Sequence, residues 1–412
     1  MAETFECARS LILSKVAPLP VEFVGLIDLG GRVIAEELKA PCEMPRWNNS
    51  AMDGFAVRKE DSRVGARLNI VAYIPAGGTA EGLHVAPGTA IKIMTGAPIP
   101  TGCDAVVPIE DVDEIGDAVV IKQPFHVDDH IRFCGEDIKR GEVVLTAGSV
   151  IRPAEVSLLA SFGYTEIKVF RRPKVAILST GDELVEPGET PGPGQIVNSN
   201  AYSLAAAVKE AGGEPLLLGI ARDNRESLQD KLAEGLQADV LITSAGVSMG
   251  DRDLVCEMLA EAGVERLFWK VNIKPGRPTA FGLKDSKPVF SLPGNPVSTM
   301  VTFEEFVRPA LLKMQGHQKV IKPYVKARLK EETKKKLGRV QFLRVSVTEN
   351  GDRLIATSSG DQNTGILRTM LRANGIAVLP AERSNIEAGE EVDIHLLDSL
   401  HTIHDLQFET IY

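Results

Sequence analysis

Lys174-Val175-Ala176-Ile177-Leu178-Ser179-Thr180-Gly181-Asp182-Glu183-Leu184 is the stretch that decides the fold. An apolar run stops at hydroxyls, a glycine and two acids, the pattern of a buried strand that delivers its chain into a polar loop. The strand predicted there spans 174–179, and the unit recurs at 215–220, 239–243, 265–271 and 288–292. Helical patterns fall between them at about 200–211, 225–237, 254–262 and 297–314. Strand–helix alternation predicts a parallel sheet with crossover helices. Gly212-Gly213 supplies the first helix with a stop that only glycine makes cheaply.

Outward from this core the pattern changes on both sides. Arg171-Arg172-Pro173 reads as a linker. Upstream, short strands at 68–73, 90–94, 105–109 and 118–121 alternate with Gly and Pro turns, predicting a small all-β module over 51–135. The chain opens with a helix whose apolar positions are Cys7, Leu11, Ile12 and Val16, then a second helical stretch at about 26–38. A helix near 154–162 is expected to return onto these, so that 1–50 and 136–172 form one discontinuous domain around the β insert. Residues 173–318 are the α/β domain, and 319–412 read as a β-barrel or sandwich. There Glu349-Asn350-Gly351-Asp352 marks a hairpin.

Composition bounds the function. A chain of 412 residues exceeds one compact domain, with roughly two to four the natural expectation. An apolar fraction of 44% and a charged fraction of 25% fit a soluble globular protein. No apolar stretch is long enough to span a membrane, and the first residues lack the basic and apolar regions of a signal peptide, so a cytoplasmic protein is expected. The five cysteines are scattered without C-x-x-C spacing and read as reduced thiols. His126 and His130 lack a third ligand, and Pro124 argues for a surface loop rather than a metal site. A net charge of −10 argues against nucleic acid as the partner. The basic run over 330–339 is broken by Glu331 and Glu332 and reads as a solvated turn or strand edge.

Ligands of open parallel sheets bind outside the carboxyl ends of the strands. The five strand ends here lead into Thr180-Gly181-Asp182-Glu183, Arg222-Asp223-Asn224, Gly246-Val247-Ser248-Met249-Gly250-Asp251-Arg252-Asp253, Lys270 with Lys274-Pro275-Gly276-Arg277, and Pro293-Gly294-Asn295-Pro296. Asp182, Glu183, Asp223, Asp251 and Asp253 are hard oxygen donors suited to Mg²⁺. Lys270, Lys274 and Arg277 suit phosphate or another oxyanion. Acids and cations on one rim predict a metal-assisted reaction on a phosphorylated substrate. Asn295-Pro296 reads as N-cap and first residue of the last helix, with free N–H groups for an anion. Other motifs fail. Gly192-Pro193-Gly194 lacks the rest of a dinucleotide fingerprint, and no P-loop occurs. The G-x-S-x-G at Ser248 is followed by Asp251-Arg252-Asp253 instead of a helix, unlike a nucleophile elbow.

The upstream half holds Asn49-Ser50-Ala51-Met52-Asp53-Gly54-Phe55-Ala56, Met94-Thr95-Gly96-Ala97-Pro98 and Arg132-Phe133-Cys134-Gly135-Glu136-Asp137. Together with Ser179-Thr180-Gly181-Asp182-Glu183-Leu184, the loop ending at Asp253, Asn272-Ile273-Lys274-Pro275-Gly276 and Pro293-Gly294-Asn295-Pro296, these resemble the motifs of the MoeA family, which includes the C-terminal domain of gephyrin. The resemblance runs in order from about residue 5 to 395. It implies a central molybdopterin-binding α/β domain with a mixed N-terminal domain, an inserted β domain and a C-terminal β-barrel. The implied activity is insertion of molybdate into adenylylated molybdopterin, with Mg²⁺ assisting and AMP leaving. By motif match, Asp182, Glu183, Asp223 and Asp253 serve the metal and phosphate end, with Glu183, Asp223 and Asp253 as metal ligands. Lys270, Lys274 and Arg277 bind the anionic pterin or molybdate. Thr180, Gly181, Asn198, Ser199, Ser248, Gly250, Asp251, Thr364 and the Pro293, Gly294, Asn295, Pro296 turn contact substrate. A homodimer is implied, with Asp53, Thr95, Arg132 and Asp137 reaching the site from the other subunit. The resemblance also raises a separate molybdopterin adenylyltransferase as a candidate further partner. Arg46-Trp47-Asn48 and Arg277 depart from the commoner family residues. Two rival readings are a molybdopterin adenylyltransferase, against which the flanking β modules argue, and a non-catalytic scaffold, which would not require the rim carboxylates and lysines.

Overall fold

The computed structural model describes residues 2–245 and 254–397. Within these the chain divides into two compact units: Glu36–Ala147 with Ser157–Thr165, and a larger unit made of the remaining described residues. The larger unit begins with α1 (Phe5–Lys15), whose N-cap Thr4 accepts the Cys7 N–H. Its buried stripe is Phe5, Ala8 and Ile12, continued by Val16, while Cys7 faces out. The stretch 26–38 is not a helix, contrary to expectation. It holds a 3-10 turn, Leu26–Asp28, after which Gly31 turns the chain at φ +75 and Val33 and Ile34 bridge Val150 and Val169. Leu26, Leu29 and Val33 match a helical period, but the Gly30-Gly31 pair interrupts it.

The smaller unit carries a six-stranded sheet of β1 (Gly54–Val57), β2 (Arg67–Ile74), β3 (Thr89–Ile93), β4 (Ala105–Pro108), β5 (Val112–Ile115) and β6 (Ala118–Ile121), ordered β4-β1-β3-β2-β6-β5. Alternation along the strands feeds two apolar layers. Phe55, Val57, Ala105 and Val107 enter one, and Ala56 and Val106 the other. The helix expected near 154–162 is α2 (Pro153–Ser161).

The α/β part of the larger unit holds β7 (Lys174–Thr180), α3 (Ser199–Glu210), β8 (Glu214–Ala221), α4 (Arg225–Gly235), β9 (Val240–Ser244), α5 (Leu254–Glu261), β10 (Glu265–Phe268), β11 (Ala280–Lys284), β12 (Lys287–Leu292), α6 (Pro296–Thr302) and α7 (Arg308–Met314). The sheet order is β8-β7-β9-β12-β11-β10. The five expected strands are present, and the sheet is not wholly parallel, because β11 adds a sixth strand antiparallel to both neighbours. Val175, Ile177, Val240 and Ile242 pack under α3, α6 and α7, while Ala176, Leu178 and Leu241 meet α4 and α5 on the opposite face. Arg171 does not behave as a free linker. Its guanidinium forks onto Asp239 at 2.7 and 2.8 Å, and its N–H donates to the Pro20 carbonyl. Between α6 and α7 a π-helical turn, Phe303–Val307, carries the buried Glu305, which meets His395 Nδ1 at 2.6 Å and Arg9 at 3.6 Å.

Downstream, β13 (Tyr324–Leu329), β14 (Val340–Asn350), β15 (Arg353–Ser358), β16 (Gly375–Leu379) and β17 (Glu391–Leu396) close into a ring, β14-β15-β13-β17-β16, because β14 pairs with both β15 and β16. The β14–β15 hairpin turns at Gly351-Asp352, as expected, with Gly351 at φ +60. Leu343, Val345 and Val347 fill the barrel, and Phe342 points outward onto Phe5 of α1, ring centres 5.1 Å apart. The basic run is a strand edge: Thr333-Lys334 pairs with Asn385-Ile386. Among the described residues no helix is long and apolar enough to cross a membrane.

Candidate active site

The carboxyl ends of β7, β9 and β12 surround a cleft of about 390 Å³. After β7, Gly181 (φ +142) gives way to Glu183, whose carboxylate folds back so closely that a Cβ on Gly181 would lie 2.3 Å from it. The chain then pairs Leu184-Val185 in parallel with Ile196-Val197 and so reaches the N-terminus of α3. There Asn198 caps the helix and is buried, its Oδ1 accepting from Ser179 Oγ at 2.9 Å and from the Ala201 N–H at 3.4 Å. Asn200 reaches across instead. Its Nδ2 donates to Ser244 Oγ at the end of β9 (2.9 Å) and to the Gly294 carbonyl after β12 (2.7 Å). One carboxamide therefore ties three loops together.

After β12 comes Pro293-Gly294-Asn295-Pro296. Thr299 Oγ1 donates to the Pro293 carbonyl at 2.5 Å, holding the turn against α6. Asn295 is the N-cap by position and Pro296 the first helical residue, as the sequence predicts, but the Asn295 side chain does not cap. Its Nδ2 donates to Thr364 Oγ1 at 3.1 Å, linking the turn to the barrel loop.

Of the residues expected from the sequence, Glu183, Asn198, Ser199, Pro293, Gly294, Asn295 and Pro296 line this cleft. Asp182, Asp223, Thr180 and Gly181 stand behind or beside it. The Asp223 N–H donates to Asp182 Oδ1 at 3.2 Å, and Arg222 donates to the carbonyls of Asp182 and Leu184, so the loop after β8 is tied to the rim without lining the cleft. Pro278 lines the cleft, whereas the adjacent Arg277, Lys274 and Lys270 do not. Arg277 and Lys274 are exposed on a loop folded by the Val271 N–H to Arg277 carbonyl bond (3.0 Å). Gly276 (φ +100) packs there so tightly that a Cβ would meet Thr302 Cγ2 at 2.3 Å. The first residues of the chain lie on the same loop: the Glu3 N–H donates to the Lys270 carbonyl (2.9 Å), and Asn272 returns a bond to Glu3 (2.8 Å). Ser248, Gly250, Asp251 and Asp253 lie outside the described residues.

Asp53, Thr95, Arg132 and Asp137 belong to the smaller unit. Asp53 Oδ1 accepts the Thr95 N–H (2.8 Å) and hydroxyl (2.7 Å). The backbone bond, then the hydroxyl, holds its carboxyl below the ordinary 3.8. Asn49-Ser50 gathers the blocks: Arg132 pairs with Asn49, and Ser50 exchanges backbone bonds with Gly96 and Ala97. Asp137 makes only a backbone bond to Met44 among these elements.

Sequence reasoning missed two residues. Asn200 was hidden in an N-S-N run whose first member is the cap. Arg344 stands in the apolar β14, a cation where alternation predicts core, and that incongruity was the available signal. It is fully buried, and its guanidinium donates to Thr369 Oγ1 (2.8 Å) and to the carbonyls of Asp361 (3.2 Å) and Asn363 (3.3 Å). Burial pushes its pKa down. Arg344 thus shapes the loop that ends at Thr364.

Residues 3–163 match the MoeA N-terminal region (domain I and II), residues 176–313 a probable molybdopterin binding domain, and residues 326–397 the MoeA C-terminal region (domain IV). The molybdopterin molybdenumtransferase of Haemophilus influenzae is 37% identical over 404 residues, covering 96% of this chain and 99% of that protein. Molybdopterin molybdenumtransferase 2 of Mycobacterium tuberculosis is 38% identical over 90% of this chain and 94% of its own. The crystal structure of the molybdopterin biosynthesis MoeA protein from Pyrococcus horikoshii superimposes with a TM-score of 0.80 at 33% identity, covering 96% of this chain and all of that one. Identity at this level along nearly the whole length, through both β modules as well as the α/β rim, places the chain in the MoeA family of molybdopterin molybdenumtransferases.

Proposed function

We propose that this chain catalyses the insertion of molybdate into adenylylated molybdopterin, releasing AMP. The observation that carries the reading is the cleft at the ends of β7, β9 and β12. A carboxylate, Glu183, lines it together with the Pro293-Gly294-Asn295-Pro296 turn and with Pro278 of the adjoining cationic loop. Two anions must meet in this reaction, so the work of the site is electrostatic and positional. Lys270, Lys274 and Arg277 draw in the oxyanion and the substrate phosphate, and Asn200 holds the walls of the cleft in register. No covalent nucleophile is needed.

Among the described residues no three His, Cys, Asp or Glu side chains form a ready metal cage. Mg²⁺ uses one or two carboxylates and takes its remaining ligands from substrate phosphates and water. Glu183 faces the cleft, and Asp182 and Asp223 adjoin it. Glu183, Asp223 and Asp253 would hold the ion, which when bound would neutralise charge on the phosphoanhydride. We further propose that two copies share their sites, with Asp53, Thr95, Arg132 and Asp137 of one subunit completing the rim of the other.

The test is AMP release from purified molybdopterin-AMP with Mg²⁺, with and without molybdate, for wild type and Asp223→Ala. Molybdate-dependent release is expected, reduced by about 100-fold or more in the variant, because losing a group that holds the ion should cost at least what losing an outer partner costs. Folded wild type that releases no AMP with any oxyanion would overturn the enzyme reading.

A further inference from the structure

Beyond β10 the chain bends at Trp269, and the bend brings neighbouring side chains together that an extended strand would send to opposite faces. The Lys270 ammonium sits over the indole, 3.8 Å from the ring centre, and the Arg266 guanidinium lies 5.7 Å from the same centre. Trp269 is 46% exposed, so it adds little to the core. The backbone beneath it is fixed, since Glu3 holds the Lys270 carbonyl and pairs with Val271. What the indole does hold is a cation.

We propose that Trp269 is a positioning residue: its face pre-orders the Lys270 ammonium at the rim for the incoming oxyanion. Lysine is a compact charge on a flexible four-carbon stem, and ordering that stem at the moment of binding weakens affinity. An indole is the strongest of the aromatic faces for a cation, phenylalanine is weaker, and leucine offers none. The inference rests on the molybdate-transfer reading above and adds to it the residue that sets the affinity for the anion.

The experiment measures molybdate bound to the full chain by equilibrium dialysis with metal analysis, for wild type, Trp269→Phe and Trp269→Leu. The chain has two tryptophans, so a Trp47→Phe background leaves Trp269 as the single tryptophan for a parallel fluorescence titration with molybdate. The expected result is a Kd weakened about two- to fivefold in Trp269→Leu, with Trp269→Phe between. KM for molybdate should rise in step while kcat holds, and molybdate should shift the Trp269 emission. Wild type that binds no molybdate by dialysis overturns the transferase reading and this inference with it. Wild type that binds while Trp269→Leu binds equally well, or a leucine variant weakened no more than the phenylalanine one, overturns this inference alone.

Discussion

Gly54 follows the acid of the Asp53–Thr95 pair, and its lack of a side chain is a packing requirement. β1 runs between β3 and β4, and a Cβ at Gly54 would lie 2.1 Å from the Val107 carbonyl oxygen. Neither neighbour can retreat without breaking a ladder of hydrogen bonds. Gly54→Ala is expected to lose about 3 kcal/mol of stability or more by thermal unfolding, as overpacking against backbone does. A wild-type melting temperature would show that the sheet opens more easily than described. The Asp-Gly pair reads from the sequence as a loop, and Asp53 was legible as a polar group of interest. The reason for the glycine was not, because Val107 is more than fifty residues away and only the sheet register brings its carbonyl there. Arg344 shows the same limit: its charge was visible, but not the three partners that its burial demands.

Strand starts matter as much as strand ends. Asp239 precedes β9 and accepts from the Arg171 fork and the Lys174 N–H, clasping the amino ends of β7 and β9. Burial alone would raise its pKa, but the Arg171 bond, the Lys174 N–H and the guanidinium charge outweigh that and hold it below 3.8. A carboxyl depressed in the fold contributes stability that is complete above its unfolded value and lost as pH falls through the lower folded one. Asp239→Asn is therefore expected to cost about 1–2 kcal/mol at pH 7 by urea unfolding, with the gap to wild type closing below pH 3.8. A gap that stays constant down to pH 2.5 would mean that the charge is not what holds the clasp. The long apolar runs of β7, β9 and β12 were legible because burial on both faces removes polar residues from them. β11 was not, because Gly282 breaks its pattern and the close approach of that glycine to β10 appears only in the assembled sheet. The supposed helix at 26–38 failed for the opposite reason. Its apolar spacing fits a helix, yet Val33 and its neighbour Ile34 serve single bridges to chain more than a hundred positions away.

At the scale of the molecule, the rim acids and cations belong to one unit and Asp53 with Thr95 to the other. If two subunits pool these groups, Asp53→Ala and Asp223→Ala proteins, each inactive alone, should regain activity when co-assembled. Random pairing leaves half the dimers mixed with one intact site each, so about a quarter of wild-type turnover is expected from a twofold dimer. A mixture that stays inactive although mass spectrometry shows mixed dimers would place both carboxylates in sites built from a single chain. The order of modules was readable in the sequence, because each has its own periodicity. That the loops after the strands share one rim followed from the parallel-sheet rule, but the Asn200 bonds that tie three of them are recorded in no local pattern.

The lodging of Glu3 against Lys270 and Asn272 turns the first residues into a natural handle on the cationic loop. A dye carried at Glu3 would sit beside that loop and could follow anion entry in real time.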